Sequence, residues 1–88
     1  MNSNFEYYKI FYYVAKYENL TKAAAVLKTS QPAVTRTIHN LENELGCRLF
    51  IRSKKGMKLT PEGHAFYEYV AAGCSQFFRG ESNLSSLL

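Results

Sequence analysis

Cysteine and histidine are scarce, with two of each among 88 residues. Cys47 and Cys74 stand 26 residues apart, with no other Cys or His beside them at metal-ligand spacing, and His39 and His64 are equally isolated. This scatter excludes a zinc site of ordinary spacing and makes two buried or half-buried thiols a simpler expectation than a disulfide. No apolar run reaches the roughly 18 residues of a membrane helix. Met1-Asn2-Ser3-Asn4 has neither the charged start nor the apolar core of a secretory leader. A cytoplasmic protein without membrane contact is expected. Also missing are a carboxylate pair, a nucleophile beside a base, and a glycine-rich phosphate cradle. Neither enzymatic activity nor a cofactor or metal is therefore expected.

The residues present describe one small domain, since single domains commonly reach ~100–150 residues. A 47% hydrophobic content fills one core without also walling a large ligand pocket. The formal charge is +4 and its distribution is uneven. Lys22, Lys28, Arg36, Arg48, Arg52, Lys54, Lys55 and Lys58 lie between Asn19 and Pro61, with Glu42 and Glu44 as the acids of that window. Glu6, Glu18, Glu62, Glu68 and Glu81 fall outside it. A basic middle with acidic flanks is the pattern of a surface that meets a polyanion.

The run Ser30-Gln31-Pro32-Ala33-Val34-Thr35-Arg36 carries the most information. Proline has a preset φ and lacks an N–H, which suits the first turn of a helix. Gln31, Thr35 and Arg36 then sit near the helix start with polar atoms outward. Val34, Ile38, Leu41 and Leu45 recur at the spacing that buries the opposite face. This helix is expected to end at Glu44-Leu45-Gly46, with glycine in the left-handed position. Upstream, Thr21 to Leu27 reads as a shorter helix with Thr21 as its N-cap. The tight Lys28-Thr29 connection makes the pair a helix-turn-helix, which implies duplex DNA as partner.

Around this pair, Phe5 to Tyr17 forms an aromatic helix with Tyr7 and Tyr13 as its exposed members. Arg48 to Arg52 and Met57 to Thr60 read as a hairpin around Ser53-Lys54-Lys55-Gly56, packed inward through Leu49, Phe50 and Leu59. Thr60-Pro61-Glu62 starts a further helix that runs to about Phe78. Phe66, Val70, Gly73 and Phe77 share one face of it. A second copy of the chain is the expected cover for that face. The alternative is that this helix lies back across the first one. Gly80 to Leu88 is expected to be a frayed tail.

Ala23-Ala24, Leu27, Ser30-Gln31-Pro32-Ala33-Val34, Ile38, Leu41-Glu42, Leu45-Gly46, Leu49-Phe50, Arg52, Leu59-Thr60 and Gly63 together resemble the N-terminal domain of LysR-type transcriptional regulators. The resemblance implies a mainly α fold: a winged helix-turn-helix of three helices and a two-stranded wing, then a long linker helix that pairs two protomers. Expected boundaries are 3–60 for the winged domain (helix-turn-helix about 20–39, wing about 48–60), 61–79 for the linker and 80–88 for the tail. Family members usually continue into a two-lobed effector domain. Its absence implies an excised portion or a naturally short protein, and the apolar ending Leu84-Ser85-Ser86-Leu87-Leu88 favours excision. A tetramer is possible at full length, and a small-molecule inducer only if that effector domain exists.

The expected DNA contacts are Thr21, Lys22, Ser30, Gln31, Pro32, Thr35, Arg36, Arg52, Lys54 and Lys55. Gln31 matches the adenine N6/N7 edge and Arg36 matches guanine O6/N7, although its long arm also reaches a phosphate. Thr35 donates to a base or sets its methyl on thymine, and Pro32 packs on a thymine methyl or sugar. Thr21 and Lys22 would clamp a phosphate at the start of their helix. Arg52 would enter a narrow minor groove, while Lys54 and Lys55 follow the backbone. Arg48 and Lys58 are expected to be bystanders, and His39 a structural surface residue. Two other readings stand beside this one. One is a protein-interaction module built on the aromatic helices. The other is RNA binding, for which stacking aromatics are not concentrated on the basic face.

Overall fold

The computed structural model describes residues 5–88. Met1 to Asn4, including the expected domain start at residue 3 and the leader reading, lie outside it. Along the chain run α1 (Phe5–Tyr17), α2 (Leu20–Leu27), α3 (Gln31–Leu45), β1 (Phe50–Ser53), β2 (Gly56–Leu59) and α4 (Pro61–Leu87). The two strands pair antiparallel, with Phe50 opposite Leu59 and Ser53 opposite Gly56. The ladder lies nearer the turn than read from the sequence: Ser53 and Gly56, expected in the turn, form its last pair, while Arg48, Leu49 and Thr60 fall outside the strands.

The core joins all these elements. Phe11 and Val14 of α1, Ala23 and Ala24 of α2, and Val34, Ile38 and Leu41 of α3 are buried together with Leu49, Phe50, Val70 and Cys74. The Phe11 ring lies 5.4 Å from Phe50 and 5.3 Å from Phe66, tying α1 to the wing and to α4. Tyr7 and Tyr13, expected to be exposed, are half-buried against this core. Tyr13 stacks on Tyr17 with centroids 6.1 Å apart.

Two helix starts differ in outcome. Ser30, expected as a DNA contact, caps α3, its hydroxyl accepting from the Ala33 amide at 3.2 Å. At α2 the cap is Asn19, whose Oδ1 accepts from the Lys22 amide at 2.9 Å. The chain reaches Asn19 through Glu18 at φ 53, which places the extended cap conformation two residues before Thr21. The Thr21 hydroxyl is left for other work. At the ends of these helices Lys28 (φ 58) and Gly46 (φ 75) take left-handed caps.

The segment 80–88, expected to fray, is helical to Leu87. Gly80 keeps helical geometry and ends nothing. Only the first part of α4 packs on the domain, through Gly63, Phe66, Tyr67, Val70, Cys74 and Phe78. Every residue from Arg79 to Leu88 is exposed.

Candidate nucleic-acid interface

Seven residues enclose one open concavity. Gln31, Pro32, Thr35, Arg36, His39 and Asn40 come from the outer face of α3, and Arg52 comes from β1. An adjoining concavity shares Gln31 and Arg52, and adds Thr21 from α2 with Lys54 and Lys55 from the wing turn. Among the described residues, neither concavity has an acid in its lining. The result is a convex helix start beside a basic wing, a shape that fits a major groove about 12 Å wide.

The expected site residues divide accordingly. Gln31, Pro32, Thr35, Arg36, Arg52, Thr21, Lys54 and Lys55 are brought together. Ser30 caps the helix and lines neither concavity. The Lys22 ammonium sits 4.9 Å from the centroid of the Tyr17 ring, held by a cation–π contact instead of projecting freely. His39, expected to be structural, lines the larger concavity. Asn40 had no assigned part. Its Nδ2 donates to the Tyr7 hydroxyl at 3.4 Å, which steadies it beside Arg36. Its position four residues after Arg36 was the available sequence signal.

The wing is held by three fastenings. Glu42 is 7% exposed, and its Oε2 accepts from the amides of Leu49 (2.7 Å) and Phe50 (3.3 Å). Arg48 Nε lies 3.7 Å from the same oxygen. At the far end, the Met57 amide donates to the Glu18 carbonyl at 3.1 Å, and Lys58 Nζ pairs with Glu18 at 3.0 Å. Gly56 (φ +117) passes against the Glu18 carbonyl with no room for a side chain. Thr60 closes the junction with α4. Its hydroxyl donates to the Arg48 carbonyl at 2.7 Å and accepts from the Gly63 amide at 2.9 Å. Glu42 was the residue missed in the sequence, although it stands four after Ile38 on the buried stripe.

The expected dimer face needs revision. Val70 is 7% exposed, and Phe66 sets its ring 5.7 Å from Tyr8 as well as against Phe11. Both pack on α1 of their own chain, so the alternative of the helix lying back across the first one holds for this stretch. Gly73 and Phe77 lie along the open rim of the apolar groove of about 200 Å³ between α1 and α4. Phe77 keeps an edge contact with Phe5 at 4.9 Å.

A helix-turn-helix whose second helix presents a polar start, followed by a hairpin pinned to that helix, is a winged helix-turn-helix. The family model described as "Bacterial regulatory helix-turn-helix protein, lysR family" matches residues 5–64, and the chain belongs to this family. It is 45% identical over 62 residues to the HTH-type transcriptional regulator BenM of Acinetobacter baylyi, covering 70% of this chain and 20% of that protein. To the HTH-type transcriptional regulator CitR of Bacillus subtilis it is 44% identical over 67 residues, covering 76% of this chain and 23% of that one. The chain thus spans under a quarter of these relatives. The fold matches the crystal structure of the BenM_DBD/catB site 1 DNA complex with TM-score 0.85 and 35% identity, covering 97% of this chain and 96% of that one.

Proposed function

We propose that this chain is the DNA-reading part of a cytoplasmic transcriptional regulator, which binds duplex DNA sequence-specifically as a homodimer. The observation that carries this reading is the convergence of Gln31, Thr35 and Arg36 with Arg52 on one acid-free surface. BenM and CitR are transcriptional regulators, and BenM_DBD is seen on DNA, which supports the same use here. The start of α3 enters the major groove, Gln31 and Arg36 read base edges, and each well-placed bidentate pair contributes about 1–3 kcal/mol of discrimination. Arg52, Lys54 and Lys55 hold the backbone or the adjacent minor groove.

The unpacked end of α4 supports pairing. Helices draw most of their stability from packing an apolar face, yet Arg79 to Leu88 is exposed throughout. Leu84 (58% exposed) and Leu87 (83%) offer apolar surface there, and Tyr69 (80%) and Phe77 (57%) offer more nearer the domain. A second copy packed along this helix would set two reading helices roughly 34 Å or a multiple apart, matching an interrupted palindrome. Control by an inducer and assembly into tetramers would belong to an effector domain.

Titration of a labelled duplex and of its single strands across salt concentrations tests the reading. Duplex binding should be tighter, and should weaken by roughly 0.9 log unit per log unit of salt for each phosphate neutralised. Equal, salt-insensitive binding of both would overturn it.

A further inference from the structure

Asn19, not Thr21, caps α2, so the Thr21 hydroxyl is free to reach across the helix pair. It accepts a hydrogen bond from Gln31 Nε2 at 2.9 Å, joining residues ten apart in sequence. Both side chains are exposed at the edge shared by the two basic concavities. We propose that Thr21 is a positioning residue that fixes which way the Gln31 amide faces, so that base preference beneath Gln31 depends on a side chain of the preceding helix. The proposal rests on the DNA-binding function above.

The chemistry follows from counting donors and acceptors. A glutamine amide turned by half a revolution keeps its shape but exchanges donor and acceptor, so shape alone does not set its direction. A threonine hydroxyl alone does not set it either, because it donates one hydrogen and also accepts. At the start of α2, however, a DNA phosphate is the natural taker of the Thr21 hydrogen. A phosphate oxygen only accepts. Once the hydroxyl donates to it, Thr21 has only acceptor capacity left for Gln31. The Gln31 nitrogen must then face Thr21 with one of its two hydrogens. Its second hydrogen and the carbonyl oxygen remain side by side on the free edge. That order of donor and acceptor is the one that adenine N7 and N6 complete. The reversed amide would set two acceptors against each other at N7.

Selection of bound duplexes from a random pool defines the preferred site of the wild-type protein, and Gln31→Ala identifies the base pair whose preference relaxes. Binding to four duplexes differing only at that pair is then measured for Thr21→Val, which keeps the shape without the hydroxyl, and for Thr21→Ser, which keeps the hydroxyl. Thr21→Val should lose about fivefold of discrimination at that pair, the worth of one hydrogen bond of about 1 kcal/mol. Thr21→Ser should restore it. In a Gln31→Ala background, Thr21→Val should change discrimination no further. A Thr21→Val protein that binds all four duplexes more weakly by the same factor, or that is unchanged, would overturn the proposal and leave Thr21 at most a phosphate contact. The loss of discrimination persisting without Gln31 would overturn it too. A wild-type protein with no preferred site would instead overturn the DNA-reading function itself.

Discussion

Glu42 Oε2 accepts a 2.7 Å hydrogen bond from the amide of Leu49, so a side chain of the reading helix itself holds the approach to the wing. The spacing between Gln31 or Arg36 on one side and Arg52 on the other is thereby set within one rigid unit. Removing the carboxylate leaves the buried amides of Leu49 and Phe50 without an acceptor. Glu42→Ala should therefore lower stability by about 2–3 kcal/mol, read as a reduced midpoint in urea. A loss under about 0.5 kcal/mol would mean water replaces the carboxylate there.

The wing's other end depends on Gly56. An alanine methyl there would run into the Glu18 carbonyl, and the residue's φ of +117 is strained for any L side chain. Gly46 is left-handed too, at φ +75, but faces open space. Gly46→Ala should cost about 1–2 kcal/mol, the ordinary penalty of a left-handed alanine. Gly56→Ala should cost clearly more and weaken duplex binding, because the wing must leave the α1–α2 turn. Parallel thermal melts and duplex titrations check both; equal losses would contradict the close approach.

Local chemistry made much of this architecture readable. Thr60 is a cap followed directly by proline, and Gly46 ends α3, because short-range sterics decide those positions. The cap of α2 was misread because Asn19 and Thr21 are both competent, and the positive φ of Glu18 decides between them. Glu42 looked like any surface acid by charge, and only its place on the buried stripe distinguishes it. The face of Phe66 and Val70 was visible as apolar, but periodicity does not say what covers a face. Here α1 does. Gly80 to Leu88 read as a frayed tail, yet nothing turns the chain there and α4 runs on to Leu87.

On the reading surface, Gln31→Ala and Lys55→Ala should separate cleanly. The first should cost about 1–3 kcal/mol of discrimination at one base pair per half-site, with little change in salt slope. The second should weaken all duplexes alike and reduce the slope by about one unit. Competition titrations at several salt concentrations measure both, and an unchanged slope for Lys55→Ala would place the wing turn off the backbone.

Two glutamates on α4 should behave oppositely. Val70→Glu puts a charge in the chain's own core and should destabilise the fold by about 3 kcal/mol or more. Leu84→Glu alters a 58% exposed position; it should leave the core's melting intact while shifting sedimentation from dimer to monomer. A Leu84→Glu protein that remains dimeric would move the pairing surface elsewhere.

Burial holds the Cys74 thiol above its usual pKa, against the opposing pull of Lys9, and burial with the nearby Tyr12 raises Tyr67 likewise. Both groups prefer to stay neutral in the folded state. Their contribution is complete below the unfolded values and is lost as pH rises toward the folded ones. Stability should fall above about pH 8.5, where an unfolded thiol ionises, and Cys74→Ala should flatten the first part of that fall. Urea midpoints between pH 7 and 10 test this; identical slopes with and without Cys74 would contradict it.

The central claim, that this surface reads DNA sequence as a symmetric pair, is tested most directly by selecting bound duplexes from a random pool at one fixed salt concentration. The account predicts enrichment of two inverted half-sites whose centres lie one helical turn or a multiple apart, with preference relaxed at one pair per half-site in Gln31→Ala. A pool that stays random after selection, or a single half-site without dyad symmetry, would contradict it.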